Sequence, residues 1–127
     1  MGFFQGLLGN ASKASVEDLK KDWGSLFSKD EEINHCYKLV RDWIILTNKR
    51  LVLIDYQGIT GTRIAIKNIP WRNIVAYEIV TAGIADLNAE LYIYVASSPF
   101  PVKYCFSSSV NIYEVQDAIA DALAQIK

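Results

Sequence analysis

The chain has 127 residues, 51% of them apolar and 21% charged, a balance that fits one compact domain with one core and excludes a disordered or fibrous polymer. Thirteen lysines and arginines against fourteen acids leave a formal charge of -1, which excludes a whole-molecule pull toward nucleic acid or an anionic membrane. A chain of this length can fold without metals or disulfides and is too short for a large multi-part enzyme.

In chain order, residues 1–10 bring Phe3, Phe4, Leu7 and Leu8 without a basic flank, and Gly6 and Gly9 interrupt them, so no signal peptide is expected. Gly6 also stands where a myristoylation signal needs serine or threonine. Charges interrupt every apolar run before it reaches the length of a membrane span, and a cytoplasmic location is expected. From 15 to 27 the residues Val16, Leu19, Trp23, Leu26 and Phe27 recur at steps of three and four, which predicts an amphipathic helix capped by Ser15. Gly24 weakens its interior by about 1 kcal/mol, so the helix must draw stability from docking.

After Glu32 the period falls from 3.6 to 2. Seven strands are predicted, at 33–41, 43–47, 50–56, 62–68, 74–81, 88–96 and 102–106. Asn48 and Lys49 fit a two-residue hairpin loop, with Asn48 suited to a positive φ. Gly58 and Gly61 supply a longer reversal, Pro70 stops a strand, and Pro99 with Pro101 brackets a turn. Hairpin connections make the sheet antiparallel. A final helix is predicted over 111–126, with Ile112, Val115, Ile119, Ala122, Leu123 and Ile126 on one face and Asn111 with Glu114 as a cap-like pair. The expected fold class is mainly β with helices (α+β): a seven-stranded antiparallel half-open barrel capped by its C-terminal helix. It forms one domain, 1–127, divided into a helical extension (1–32), the barrel (33–107) and the capping helix (110–127).

Chemistry-bearing residues are sparse. His35 is the single histidine, and a lone imidazole is more often a structural group than a ligand. Cys36 and Cys105 are far apart in apolar stretches and read as two buried free thiols. The acids of 30–32 read as a solvated cap, and the GITG run at 58–61 lacks the lysine and helix of a phosphate loop. No catalytic constellation, cofactor or metal site is expected, and the chain reads as a non-enzyme.

The order of seven strands and one helix is that of the pleckstrin homology architecture, and the residues carry a closer likeness. Tyr37-Lys38-Leu39-Val40-Arg41-Asp42, Thr47-Asn48-Lys49-Arg50-Leu51 and Asp55-Tyr56-Gln57-Gly58-Ile59-Thr60-Gly61 are followed by Ile69-Pro70-Trp71, Thr81-Ala82-Gly83, Ala89-Glu90-Leu91 and Ile112-Tyr113-Glu114-Val115-Gln116. With these motifs the chain resembles a bacterial pleckstrin homology family, formerly a domain of unknown function. Trp71 stands where that family more often has another aromatic such as tyrosine. The resemblance implies a PH-like fold, a habit of closing into homo-oligomeric rings, a pentamer among the sizes allowed, and an unknown protein partner. It implies no enzyme. Eukaryotic relatives of the fold often bind phosphoinositides with a long basic loop between the first two strands, but here that loop is only Arg41-Asp42, with Asp42 where a phosphate would sit.

Two surfaces are candidates. Seven bases between 38 and 72 face two acids, and Lys49, Arg50, Arg63, Lys67 and Arg72 form a candidate anion patch, although alternation of Arg63 and Lys67 with Ile64 and Ile66 equally fits an ordinary solvated strand face. Apolar residues on both parities of 43–54 and an aromatic stripe at 92–94 make Trp43, Ile44, Leu46, Tyr92 and Tyr94 the candidate oligomer interface, with cover by the chain's own helices as the alternative. The expected function is a self-associating interaction module. The alternative is a peripheral membrane or anionic head-group binder, in which Phe3, Phe4, Leu7 and Leu8 would take part.

Overall fold

The computed structural model describes residues 12–38, 41–81, 89–106 and 110–125. A two-residue strand β1 (Ser12–Lys13), not foreseen from the sequence, precedes helix α1 (Val16–Trp23). Then come β2 (Ile33–Lys38), β3 (Trp43–Thr47), β4 (Arg50–Gln57), β5 (Arg63–Pro70), β6 (Ile74–Thr81), β7 (Ala89–Val95), β8 (Val102–Phe106) and helix α2 (Ile112–Ala124). Five strands form one antiparallel sheet in the order β1-β2-β3-β4-β5, and three form a second in the order β6-β7-β8. The strands β5 and β6 follow one another in the chain, yet each is the last strand of its own sheet. The barrel is therefore half-open.

The expected single core is two. Strand β3 is buried on every residue and β4 on its first apolar run, so the sheet is covered on both faces. On one face Ile44, Leu46, Leu51 and Leu53 pack with Trp71, Leu91, Ile93, Tyr104 and Phe106, and α2 closes this core with Ile112, Val115 and Ile119. On the other face Trp43, Ile45, Val52 and Ile54 pack with Cys36 and Leu19 of α1, joined by half-buried Trp23, Leu26 and Phe27. The docking that α1 requires is thus supplied by the back of the sheet. Ser15 caps it, its Oγ accepting the Asp18 N–H at 3.1 Å, and Asn111 caps α2 through the Tyr113 N–H at 3.0 Å.

Several local expectations are corrected. The first helix does not run regularly to Phe27. It leaves α geometry at Gly24, where glycine's low helix propensity lets the chain tighten into a 3-10 turn over Gly24–Leu26. Asn48 does not take a positive φ; among the described residues other than glycine only Ser97, at 66°, does. The β3–β4 turn is shaped by the Thr47 hydroxyl instead, which accepts the N–H groups of Lys49 and Arg50, each at 3.0 Å. Asn48 ties the turn to the preceding loop, its Oδ1 accepting the Glu32 N–H at 2.8 Å. Cys36 is buried as expected, but Cys105 is only half-buried.

Candidate functional site

Among the described residues strand β5 has no neighbour on its outer side, and it is exposed from Arg63 to Asn68, on both faces. Its register says which face is which, because residues opposite one another across a pair share a face. Lys67 lies opposite Leu53 and Ile69 opposite Leu51, so Arg63, Ala65 and Lys67 stand on the barrel-core side, beyond the point where core material runs out. Ile66 lies opposite Ile54 and Ile64 opposite Tyr56, on the α1 side. The alternation read from the sequence is real, but its faces are reversed. The cations occupy the core-side face, and the isoleucines are left 44% and 37% exposed.

Strand β6 mirrors this. Tyr77 and Ile79 turn toward the core beside Ile93 and Leu91, while Val75 and Val80 stay exposed. Tyr92 and Tyr94 of β7 point outward, as the alternation predicts, on the face they share with Val80 and Glu78. Their hydroxyls donate to Glu90 at 3.2 Å and Glu78 at 3.1 Å, so each phenol has a local polar partner. The other three expected interface residues differ. Trp43, Ile44 and Leu46 lie inside the two cores, covered by α1 and by the barrel contents, and offer no outer surface.

The expected anion patch is divided. At the β3–β4 turn Lys49 Nζ lies 2.9 Å from Asp30, and Arg50 grips Glu31 with Nε and Nη2, each at 2.9 Å. Arg50 also donates to Leu26 O at 3.0 Å and Asn68 Oδ1 at 2.7 Å. These two cations are spent on clasping the 26–31 loop to the sheet. Glu31, expected among solvated acids, has a side chain only 1% exposed. Arg63, Lys67 and Arg72 remain exposed without an ion pair among the described residues. Arg63 and Lys67 lie about 13 Å apart along β5, and Arg72 stands past its end, in the 3-10 turn Trp71–Asn73. Asp42 does not guard a phosphate position either: it is buried, and its carboxylate accepts the Tyr56 N–H at 2.8 Å. Burial pushes its pKa up.

What sequence reasoning passed over is the β5–β6 gap itself. The available signal was a pair of isoleucines inside a strand too polar on its other parity to be a core strand. At the β4–β5 turn Ile59 is fully exposed, between Gly58 and Gly61, whose φ values of 81° and 67° only glycine adopts freely. Among the described residues no group of histidine, cysteine and carboxylate side chains is placed to hold a metal, and no helix is long and apolar enough to cross a membrane. Residues 1–11, with Phe3, Phe4, Leu7 and Leu8, lie outside the described residues.

Comparison with known proteins agrees with this architecture. A family model described as "Bacterial PH domain" matches residues 2–123. The chain is 39% identical over 121 residues to the uncharacterized protein YjqA of Bacillus subtilis, covering 94% of this chain and 97% of that one. A DUF1696 family protein with a pleckstrin-homology domain from Shewanella loihica superimposes with a TM-score of 0.81 at 30% identity, over 91% of this chain and 99% of that one. A pleckstrin homology domain from Shewanella amazonensis does so with a TM-score of 0.71 at 33% identity, over 91% and 93% of the two chains.

Proposed function

The chain belongs to the bacterial PH domain family, and from that premise we propose that it is a non-enzymatic, self-associating interaction module, a ring-shaped homo-oligomer that presents repeated surfaces to a protein partner. The observation that carries this reading is that β5 and β6 are end strands with no outer neighbour among the described residues. A free strand edge is a row of unpaired backbone donors and acceptors, and among the described residues these edges are flanked by exposed Ile64, Ile66, Val75 and Val80. Because β5 and β6 are different surfaces, pairing one copy's β5 region with the next copy's β6 region is head-to-tail, and such contacts close into rings when the rotation allows. Light scattering behind size-exclusion chromatography at micromolar concentration should give a mass several times that of one chain. A monomer at that concentration overturns the reading.

A second reading, peripheral binding to anionic lipid head groups, is favoured by the β4–β5 turn, where Ile59 is exposed, Arg41 Nη1 comes up beside Gly61 and exposed Arg63 begins the next strand. An apolar tip beside cations is the arrangement by which a loop enters a charged interface. Co-sedimentation with vesicles rich in anionic lipid decides it: binding that collapses as salt rises supports this reading, and no binding at low salt removes it.

A further inference from the structure

Strands β5 and β6, each the end of its sheet among the described residues, carry different chemistry on their two faces. On β5 the face of Arg63, Ala65 and Lys67 is cationic and that of Ile64 and Ile66 is apolar, and all five residues are exposed. On β6 the face of Ala76, Glu78 and Val80 is exposed with one acid, while Tyr77 and Ile79 on the opposite face are half-buried. Neither Arg63 nor Lys67 has an ion pair among the described residues, and neither does Glu78, whose Oε1 accepts from the Tyr94 hydroxyl. Half-buried Asp55 of β4 stands across from Ala65, so the face there holds two cations to one acid. One more carboxylate would balance it.

Two copies can meet through like strands or through unlike ones. An antiparallel β5–β5 pair centred on Ala65 sets Arg63 across from Lys67 twice, and a β6–β6 pair centred on Glu78 sets two carboxylates face to face. Like charges directly opposite one another destabilise a strand pair. A β5–β6 pair avoids both. With Glu78 across from Ala65, its carboxylate lies diagonal to Arg63 and Lys67 at about 7 to 8 Å, a separation that long side chains span. Tyr77 and Ile79 then fall across from Ile64 and Ile66, whichever way the strands run. A slip of one residue breaks both matches, because it sets Glu78 across from an isoleucine and turns Tyr77 and Ile79 toward the cations.

We propose, on the premise of the self-association set out above, that β6 of one copy adds to β5 of the next as a sixth strand of the larger sheet, with Glu78 seated between Arg63 and Lys67. The occupant of the β5 edge is thus a second copy of this chain. Glu78, Arg63 and Lys67 decide which edge that copy presents, and they make the contact head-to-tail.

The test is light scattering behind size-exclusion chromatography over a dilution series, with the full chain and two charge-reversed variants: Glu78→Lys, and Arg63→Glu with Lys67→Glu. Each variant alone should come apart at a concentration about tenfold or more above that of the parent. Mixed in equal amounts the two should assemble again, because the reversed edge of each matches the reversed edge of the other, and their unaltered edges match as well. A chain with all three changes should associate like the parent, within about threefold. All three positions are exposed, and circular dichroism checks that every variant keeps the fold. A parent chain that stays single at every concentration removes self-association and this contact together. A parent that assembles while either variant alone assembles equally well leaves self-association standing and overturns the β5–β6 contact. Folded variants that stay single when mixed overturn it too.

Discussion

Four hydrogen bonds converge on Glu31, from Arg50 Nε and Nη2, the Thr47 hydroxyl and the Ser28 N–H. The Arg50 guanidinium is the main reason its carboxyl is held down from 4.5 to about 2. The folded pKa lies below the unfolded one, so the native state favours the ionised form. That stabilisation is complete above about pH 4.5 and is lost as pH falls toward 2. Unfolding free energy should therefore drop across this window. Glu31→Gln should flatten that drop and cost about 2 kcal/mol at neutral pH, read by urea unfolding at a series of pH values. Gly24 offers the opposite case. Its φ of -57° suits any residue, and an added Cβ would meet only Lys20, at 3.7 Å and 4.0 Å. Gly24→Ala should raise stability by about 0.5 to 1 kcal/mol, and a lowered thermal midpoint would refute the assignment of that turn.

At the scale of elements, α1 is held mainly by what it buries. Leu19, fully buried among Trp43, Ile45, Val52 and Ile54, is its one wholly enclosed side chain. Leu19→Ala should cost about 3 kcal/mol and open the α1 segment to proteolysis before the barrel; equal cleavage in the parent chain would show that docking was not limiting. The helices and strands could be read from the sequence because periods of 3.6 and 2 are imposed by burial on one face. The apolar double parity of 43–54 was visible too, and it marked a sheet covered twice. Arg63 and Lys67 were harder. Alternation reveals that a strand has two faces, but at a sheet edge the core can end before the strand does, and composition then no longer tells inside from outside. Glu31 was unreadable for a related reason: its partner Arg50 lies nineteen positions away, brought close by a hairpin and not by local spacing.

For the whole molecule, the consequence turns on β5 and β6, each an end strand with no outer neighbour among the described residues. If copies cover one another there, Ile66→Lys should lower the mass measured by light scattering toward that of a single chain and leave the circular dichroism spectrum unchanged, because Ile66 lies outside both cores. An undiminished mass would place the contact elsewhere, with Tyr94 the next residue to replace. The doubly covered sheet has a practical corollary for anyone shortening this polypeptide. Trimming it to begin at Ile33 looks harmless on a map of the barrel, yet it would strip the lid from Trp43, Ile45, Val52 and Ile54 together, and the product should be recovered from cells as insoluble aggregate.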